Sequence, residues 1–483
     1  MNRRMILFLL GRTMLILAAL MTPVLIVALC YGEKEAHAFL ITIAIMVAIS
    51  FVLPRKRPEN GDIYAREGLV TVAATWIMIS LFGALPMCLS GAIPSFTDAF
   101  FEMASGFTTT GASILSSVDE LPRCALFWRS FSHWVGGMGV LVFMMAVLPL
   151  SDDRSMALMR AEVPGPVAGK IVPRMRQTAK ILYGVYSGMT LLLFILLLCG
   201  GMPVFDALCN AFATAGTGGF AIRNSGISGY NSAYVEIVIA VFMLLFAINF
   251  NLYYLILLGK VKEALRNEEL HWFLIIVAGA TLTIAATVVK LYASFGESLR
   301  YAFFQVSAIV STTGFATADF NLWPAYAQTV LVLLMFIGGC AGGTGGGFKV
   351  SRVIICVKSF FTELNYTLHP HAVTTVRIDR RPVDKSVIKG TRNYLCGYVL
   401  ITIIVTLIIS VLDGQYDFTT HFTATVSCFN NIGPGLNSVG PMENFGGYSV
   451  ASKILLTFTM LAGRLEIFPI ILLFSPRTWR KAN

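Results

Sequence analysis

Ser311-Thr312-Thr313-Gly314-Phe315 is a short polar run set between two long apolar segments, and it returns three more times in altered spelling. The other copies are Thr108-Thr109-Thr110-Gly111-Ala112, Gly216-Thr217-Gly218-Gly219-Phe220 and Asn430-Asn431-Ile432-Gly433-Pro434. Glycine takes positive φ without steric cost, and small hydroxyl residues tolerate unusual backbone geometry. A short extended run of this kind can therefore turn its carbonyl oxygens to one side. One such run binds little. Four around a common axis form a column of oxygens able to replace the water shell of a bare monovalent cation.

The composition puts these runs inside a bilayer. Of 483 residues, 56% are hydrophobic and 13% charged, against about 25% charged in a typical soluble domain. Apolar runs of about 20 residues read as helices that cross the hydrocarbon core, since lipid-exposed backbone must satisfy its own hydrogen bonds. A barrel would alternate apolar and polar residues instead. The formal net charge of +10 is no nucleic-acid signature, because the basic residues sit in alternate loops: Arg55, Lys56, Arg57 and Arg66; Arg154 to Lys180; Lys260, Lys262 and Arg266; Lys349 to Arg392; and Arg477, Arg480 and Lys481. That is the positive-inside pattern, and it assigns these loops and both termini to the cytoplasm. The nine cysteines have no CxxC or Cys/His ligand spacing and read as small buried apolar residues. Met5 to Cys30 is long enough to span, so it reads as a retained helix and not as a signal peptide.

Outward from the polar runs, one unit recurs: a span, a short amphipathic half-helix, the polar run, and a second span ending in a basic loop. In the first unit these are 67–89, 96–107, 108–113 and 125–150. Later units cover 178–260, 271–361 and 393–475. Aligned on Gly111, Gly219, Gly314 and Gly433, the lead-in segments superimpose without gaps: Asp98 to Glu102 faces Asp206 to Asn210, Tyr301 to Gln305 and Thr420 to Ala424. A dozen residues at about 1.5 Å each reach only halfway across a bilayer, so each half-helix must turn back. The expected fold is an all-α integral membrane protein. A two-helix hairpin occupies residues 1–66, and four pseudo-symmetric span/half-helix/filter-loop/span repeats (67–177, 178–270, 271–392 and 393–483) surround one pore.

The chain resembles the membrane subunit of the Trk/Ktr/HKT superfamily of potassium transporters, most closely the bacterial TrkH/TrkG branch. The resemblance is carried by Ser105-Gly106-Phe107-Thr108-Thr109-Thr110-Gly111, by the glycine run Gly338 to Gly347 with Lys349, by Asn430-Asn431-Ile432-Gly433-Pro434-Gly435 and by Gly463-Arg464-Leu465-Glu466. It implies a selectivity filter centred on the four glycines, with Thr109, Thr110 and Gly111, Thr217, Gly218 and Gly219, Thr312, Thr313 and Gly314, and Asn431, Ile432 and Gly433 facing the ion. It further implies K+ as the transported ion with no organic cofactor, a TrkA-type ring of cytoplasmic nucleotide-binding subunits as regulator, a homodimer surrounded by lipid, and the bacterial inner membrane as location. None of the four loops reads Thr-Val-Gly-Tyr-Gly as homotetrameric potassium channels do. In plant relatives a serine in place of the first filter glycine accompanies sodium preference, and its absence here favours potassium.

Two features mark the level below the filter. Seven glycines within Gly338-Gly339-Cys340-Ala341-Gly342-Gly343-Thr344-Gly345-Gly346-Gly347 disfavour a continuous helix by about 1 kcal/mol each. Irregular backbone at membrane depth is tolerated only when sheltered by protein or a water-filled cavity. The resemblance implies that this run, with Lys349, is a gate; packing of small residues between helices is the other reading. A phosphate-binding loop is disfavoured, since Phe348 separates Gly347 from Lys349. The remaining return spans are disturbed at comparable depth by Gly136-Gly137-Met138-Gly139, by Asn249 and Asn251, and by Gly463-Arg464. Arg464 either pairs with backbone carbonyls of a neighbouring span or, as the resemblance implies, stands in the cavity as a permeation barrier; Glu466, two residues on, points elsewhere on a helix.

Asp98, Asp206, Glu297 and Asp417 lie at the outer ends of the half-helices, where they either cap the helices or draw cations to the mouth. His369 and His371 flank a proline in a basic loop and read as solvated. No nucleophile, base or metal cluster suggests an enzyme. A symporter coupled to protons or sodium remains the alternative to a channel, although repeats in one orientation and few intramembrane carboxylates argue against it.

Overall fold

The computed structural model describes residues 2–54, 65–139, 175–369, 371 and 375–479. Two helices open the chain, α1 (Arg3–Cys30) and α2 (Ala36–Val52). They pair with each other, and α1 also lies against α3 (Ala65–Leu89) and α5 (Arg123–Gly137). Five described helices are long and apolar enough to cross a membrane: α1, α3, α6 (Met175–Cys199), α11 (Glu268–Val288) and α15 (Lys385–Leu412). A sixth is the pair α8 (Ala233–Ala247) and α9 (Phe250–Leu257), bent by 90° at Ile248 and Asn249. The chain is a multi-pass membrane protein. Leu192, Ile195, Leu400, Ile403 and Leu407 stand exposed on α6 and α15, which suits helices bathed in hydrocarbon.

Four shorter helices follow the leading spans at the positions expected for half-helices: α4 (Phe96–Phe107), α7 (Val204–Ala215), α12 (Phe295–Val310) and α16 (Phe418–Asn430). Their N-termini are built from local signals. Ser95 accepts from the Asp98 N–H at 3.4 Å, Ser294 from the Glu297 N–H at 3.2 Å and Asp417 from the Thr420 N–H at 3.1 Å, while Pro203 precedes α7. Alanines and small hydroxyl residues then let neighbours approach closely, and from Ala99 to Phe107 every residue of α4 is buried.

The return spans do not run unbroken. α5 ends at Gly137, and the expected span to residue 150 passes outside the described residues from 140 on. α13 (Ala325–Ile337) stops at the glycine run, and the chain resumes a helix only at α14 (Val350–Leu368). α17 (Val450–Arg464) stops before Glu466 and Ile467, both at positive φ, and α18 (Phe468–Phe474) follows. Helices α10 (Val261–Leu265) and α19 (Pro476–Trp479) are short, of five and four residues. Secondary structure enters the stretch 362–392 between the third and fourth units: α14 extends to Leu368, a small antiparallel ribbon pairs β1 (Arg377–Ile378) with β2 (Arg381–Pro382), and α15 starts at Lys385. The cysteine expectation is corrected for three residues, since Cys30, Cys199 and Cys396 are exposed on outward faces of spans, where a small apolar side chain meets lipid as readily as protein.

Candidate functional site: a ring of four turns over a glycine loop

The four half-helices end in the same backbone geometry. Thr109, Thr217, Thr312 and Asn431 take φ of 57°, 54°, 60° and 55°. The next N–H in each case reaches back to a carbonyl five residues earlier: Thr110 to Ser105 at 2.8 Å, Gly218 to Ala213 at 2.9 Å, Thr313 to Ala308 at 2.8 Å and Ile432 to Ser427 at 3.0 Å. This is a left-handed helix cap, normally written with glycine; three of the four here carry a β-branched threonine, for which positive φ is a true outlier. Two residues on, Gly111, Gly219, Gly314 and Gly433 again have positive φ.

The turns adjoin one another in chain order and close on themselves. A Cβ on Gly111 would lie 2.0 Å from the Gly218 carbonyl oxygen, one on Gly219 1.9 Å from that of Thr313, one on Gly314 2.0 Å from that of Ile432, and one on Gly433 2.9 Å from that of Thr110. Each glycine therefore sits on the carbonyl that precedes the next glycine, and no side chain fits at the three tightest positions. On one side of this ring lies a cavity of about 290 Å³ whose lining includes all four glycines, with Arg129, Arg223 and Glu443 among the charged groups. The C-termini of α4, α7, α12 and α16 run into the turns, so the partial negative charge of four helix ends favours a cation there without any carboxylate.

The carboxylates at the far ends of these helices are engaged locally. Asp98 meets Lys453 at 2.7 Å, Asp206 holds Arg223 at 2.6 Å and Tyr230 at 2.8 Å, and Glu297 accepts from the Ala293 N–H at 3.1 Å. Asp417 is the only N-cap among them; the other three occupy the third position of the first turn.

On the opposite side of the ring, the glycine run is laid against three elements. Cys340 N–H and Thr344 N–H donate to the carbonyls of Ala247 and Phe246 at 3.0 and 3.1 Å, and Phe250 N–H donates back to Gly342 at 3.1 Å. The run thus fills the hydrogen-bonding gap opened by the bend between α8 and α9. Gly346 N–H donates to the Thr312 hydroxyl at 2.7 Å, and a Cβ on Gly345 or Gly346 would lie 2.6 and 2.2 Å from the Ser311 and Asn430 carbonyls. The run therefore sits directly against the third and fourth turns. Lys349, buried and at φ 83°, donates its Nζ to the Gly345 carbonyl.

Arg464 follows the carbonyl-pairing reading. Its Nη1 donates to Thr344 at 2.7 Å, and its Nη2 to Gly136 and Gly137 at 2.6 and 2.8 Å, so one guanidinium joins the glycine run to the end of α5. Glu466 is not its partner; it pairs with Arg352 at 2.6 Å. Sequence reasoning missed a further anchor. Glu269 Oε1 accepts from Ala341 N–H at 2.8 Å and from Ser351 N–H at 3.0 Å, holding both the glycine run and the start of α14. The only signal was a glutamate at the head of an apolar span. His371 is exposed as expected, and no group of metal ligands occurs among the described residues.

The chain as a whole has relatives among known proteins. Residues 35–481 match the TrkH family of cation transport proteins. The chain belongs to that family. It is 36% identical to the Trk system potassium uptake protein TrkH of Salmonella typhimurium over 465 residues, which is 94% of this chain and 95% of the relative. It is 35% identical to the Trk system potassium uptake protein TrkG of Escherichia coli, with 95% of each chain covered. The crystal structure of the potassium transporter TrkH from Vibrio parahaemolyticus superimposes with a TM-score of 0.89 at 30% identity, covering 99% of this chain and 100% of that one. These relatives are transport proteins and not enzymes.

Proposed function

We propose that this TrkH-family chain takes up potassium across the bacterial inner membrane through a pore with four quasi-equivalent filter loops. The observation that carries the reading is the closed succession of the four glycine turns, each backed by a half-helix whose C-terminus faces it. The ion, shorn of water, is held by the main-chain oxygens of Thr109, Thr110 and Gly111, Thr217, Gly218 and Gly219, Thr312, Thr313 and Gly314, and Asn431, Ile432 and Gly433, because rigid carbonyl rings replace hydration at little reorganisation cost. The names of the relatives, potassium uptake proteins of Trk systems, support the choice of ion.

In this reading Gly338, Gly339, Gly342, Gly343, Thr344, Gly345, Gly346, Gly347 and Lys349 form the gate, and Arg464 holds it shut through the Thr344 carbonyl while adding a positive barrier below the filter. The basic loops and both termini face the cytoplasm, where a TrkA-type nucleotide-binding ring releases the gate, and two copies of the chain associate in the membrane. The test is growth on low potassium of a bacterium lacking its own potassium uptake, with and without the soluble partner. Rescue that needs the partner and no second ion gradient is the expected result. Absence of rescue by a normally inserted protein would sink the reading, and rescue that collapses with the proton or sodium gradient would replace the channel by a symporter.

A further inference from the structure

The second turn lacks something the other three have, and the missing part is supplied from another repeat. In the first and third turns the residue before the ring glycine is a threonine braced by a hydroxyl two residues earlier: Thr108 Oγ1 meets Thr110 Oγ1 at 2.7 Å, and Ser311 Oγ meets Thr313 Oγ1 at 2.7 Å. In the fourth that position is Ile432, fully buried. In the second, both equivalent positions are glycines, Gly216 and Gly218, and they offer no side chain.

The space is occupied by the imidazole of His133 from α5. A Cβ built on Gly218 would lie 2.0 Å from Nδ1 and 2.2 Å from Cγ of that ring, and the three atoms nearest to it all belong to His133. The ring also bonds at both nitrogens. The Gly106 carbonyl can only accept, so Nδ1 at 2.8 Å carries the hydrogen; the Phe220 N–H can only donate, so Nε2 at 3.3 Å is bare. Gly106 lies in the helix that leads to the first turn, and Phe220 immediately follows the ring glycine Gly219. At the matching position of the fourth turn stands Pro434, which has no N–H to offer. The Phe220 ring closes the arrangement: its centroid lies 4.3 Å from that of His133 and 4.1 Å from the Arg129 guanidinium carbon, and Arg129 is itself paired with Glu102 at 2.8 Å.

We infer that His133 is a positioning residue for ion selection: a side chain donated in trans by the first repeat that takes the place of the one Gly218 lacks and ties the second turn to the first. The inference rests on the proposed filter. It gives the neutral Nδ1–H imidazole a task that a generic core residue does not have, which is to fix the Gly218 carbonyl against Gly111.

The test compares potassium and sodium uptake by three variants with the unmodified chain, each checked for normal insertion. His133→Ala is expected to lower discrimination against sodium about tenfold, the effect of one lost buried hydrogen bond with its space left open. Gly218→Thr alone, which drives a side chain into the imidazole, is expected to do at least as much. The double variant His133→Ala with Gly218→Thr restores a threonine in place of the ring and is expected to recover most of the discrimination. A purely structural histidine would move yield and thermal stability but not the ion ratio, and the double variant would not mend it. Unchanged discrimination in His133→Ala, or no recovery in the double variant, overturns the inference. An unmodified chain that does not prefer potassium fails the proposed function itself. Should the variants not insert, the unmodified protein is labelled with ¹⁵N at its six histidines and inspected for one neutral Nδ1–H tautomer; finding none overturns the inference as well.

Discussion

The ring and the level beneath it are built on opposite plans. Above, four segments far apart in sequence repeat one geometry: a left-handed cap at Thr109, Thr217, Thr312 and Asn431, the same backbone bond behind it, and a glycine at positive φ two residues later. Below, the four return helices are interrupted in four ways: an end at Gly137, a 90° bend at Ile248 and Asn249, a glycine run of ten residues, and a stop at Arg464 before two residues at positive φ. Likeness suits a structure that must present oxygens evenly to one ion. Unlikeness suits a structure that must move, because one flexible element can then shift against three stiff ones. The difference suits the proposed division, with selection at the upper level and gating at the lower.

The strongest way to break this comparison is to damage the ring. Gly219→Ala forces a Cβ to 1.9 Å from the Thr313 carbonyl at a φ of 74°, and potassium uptake is expected to fall at least about 100-fold in a normally inserted protein. Gly433→Ala, where the nearest carbonyl is 2.9 Å away, is expected to be the milder of the two. Equal and small losses at both sites, read as initial rates of ⁸⁶Rb or potassium uptake, would remove the ring from the permeation path.

Damage below is expected to act in the other direction. Arg464→Ala removes three bonds to carbonyls, including the one to Thr344 in the glycine run, and should raise basal uptake without the soluble partner by about tenfold, the worth of a charge-assisted hydrogen bond. Glu269→Gln should do the same to a smaller extent, roughly threefold, since its amide oxygen can still accept from both N–H groups that Oε1 now holds and only the strengthening by the negative charge is lost. Uptake that falls in both variants, with insertion unchanged, would make these residues scaffold and leave the lower level without a gating role.

What was legible in the sequence follows the same division. The half-helices and the breaks in the return spans depend on residues near one another in the chain, so local spelling shows them, though it offered Asp98 and Glu297 as caps where Ser95 and Ser294 hold the helix starts. The ring order was readable only as an expectation of fourfold repetition. That threonines, and not glycines, hold the left-handed caps was not readable, since a β-branched residue argues against that geometry until the packed helix end enforces it. Key bonds that fasten the lower level join residues far apart, 72 positions from Glu269 to Ala341 and 328 from Arg464 to Gly136, and only the folded chain brings them together. Glu466 shows the limit clearly: helical spacing removed it as a partner for Arg464, but gave no hint of Arg352.

The smallest expected effect is a control placed above both levels. Asp413, just past the end of α15, is buried, which by itself would raise its pKa, but bonds from Ser452 and Ser449 outweigh that and hold the carboxyl below the ordinary aspartate range. A carboxylate with a depressed folded-state pKa contributes stability that is present above its unfolded pKa and is lost as the pH falls through the folded one. Thermal stability should therefore decline modestly as the pH is lowered below about 4, the unfolded aspartate value, and Asp413→Asn should flatten that decline while leaving ion discrimination and partner-free uptake as they were. Because Asp413 ties the head of α17 to the end of α15 without touching the ring or the glycine run, a change in either transport property would mean that outer packing reaches the ring, and the separation of the two levels would have to be redrawn to include it.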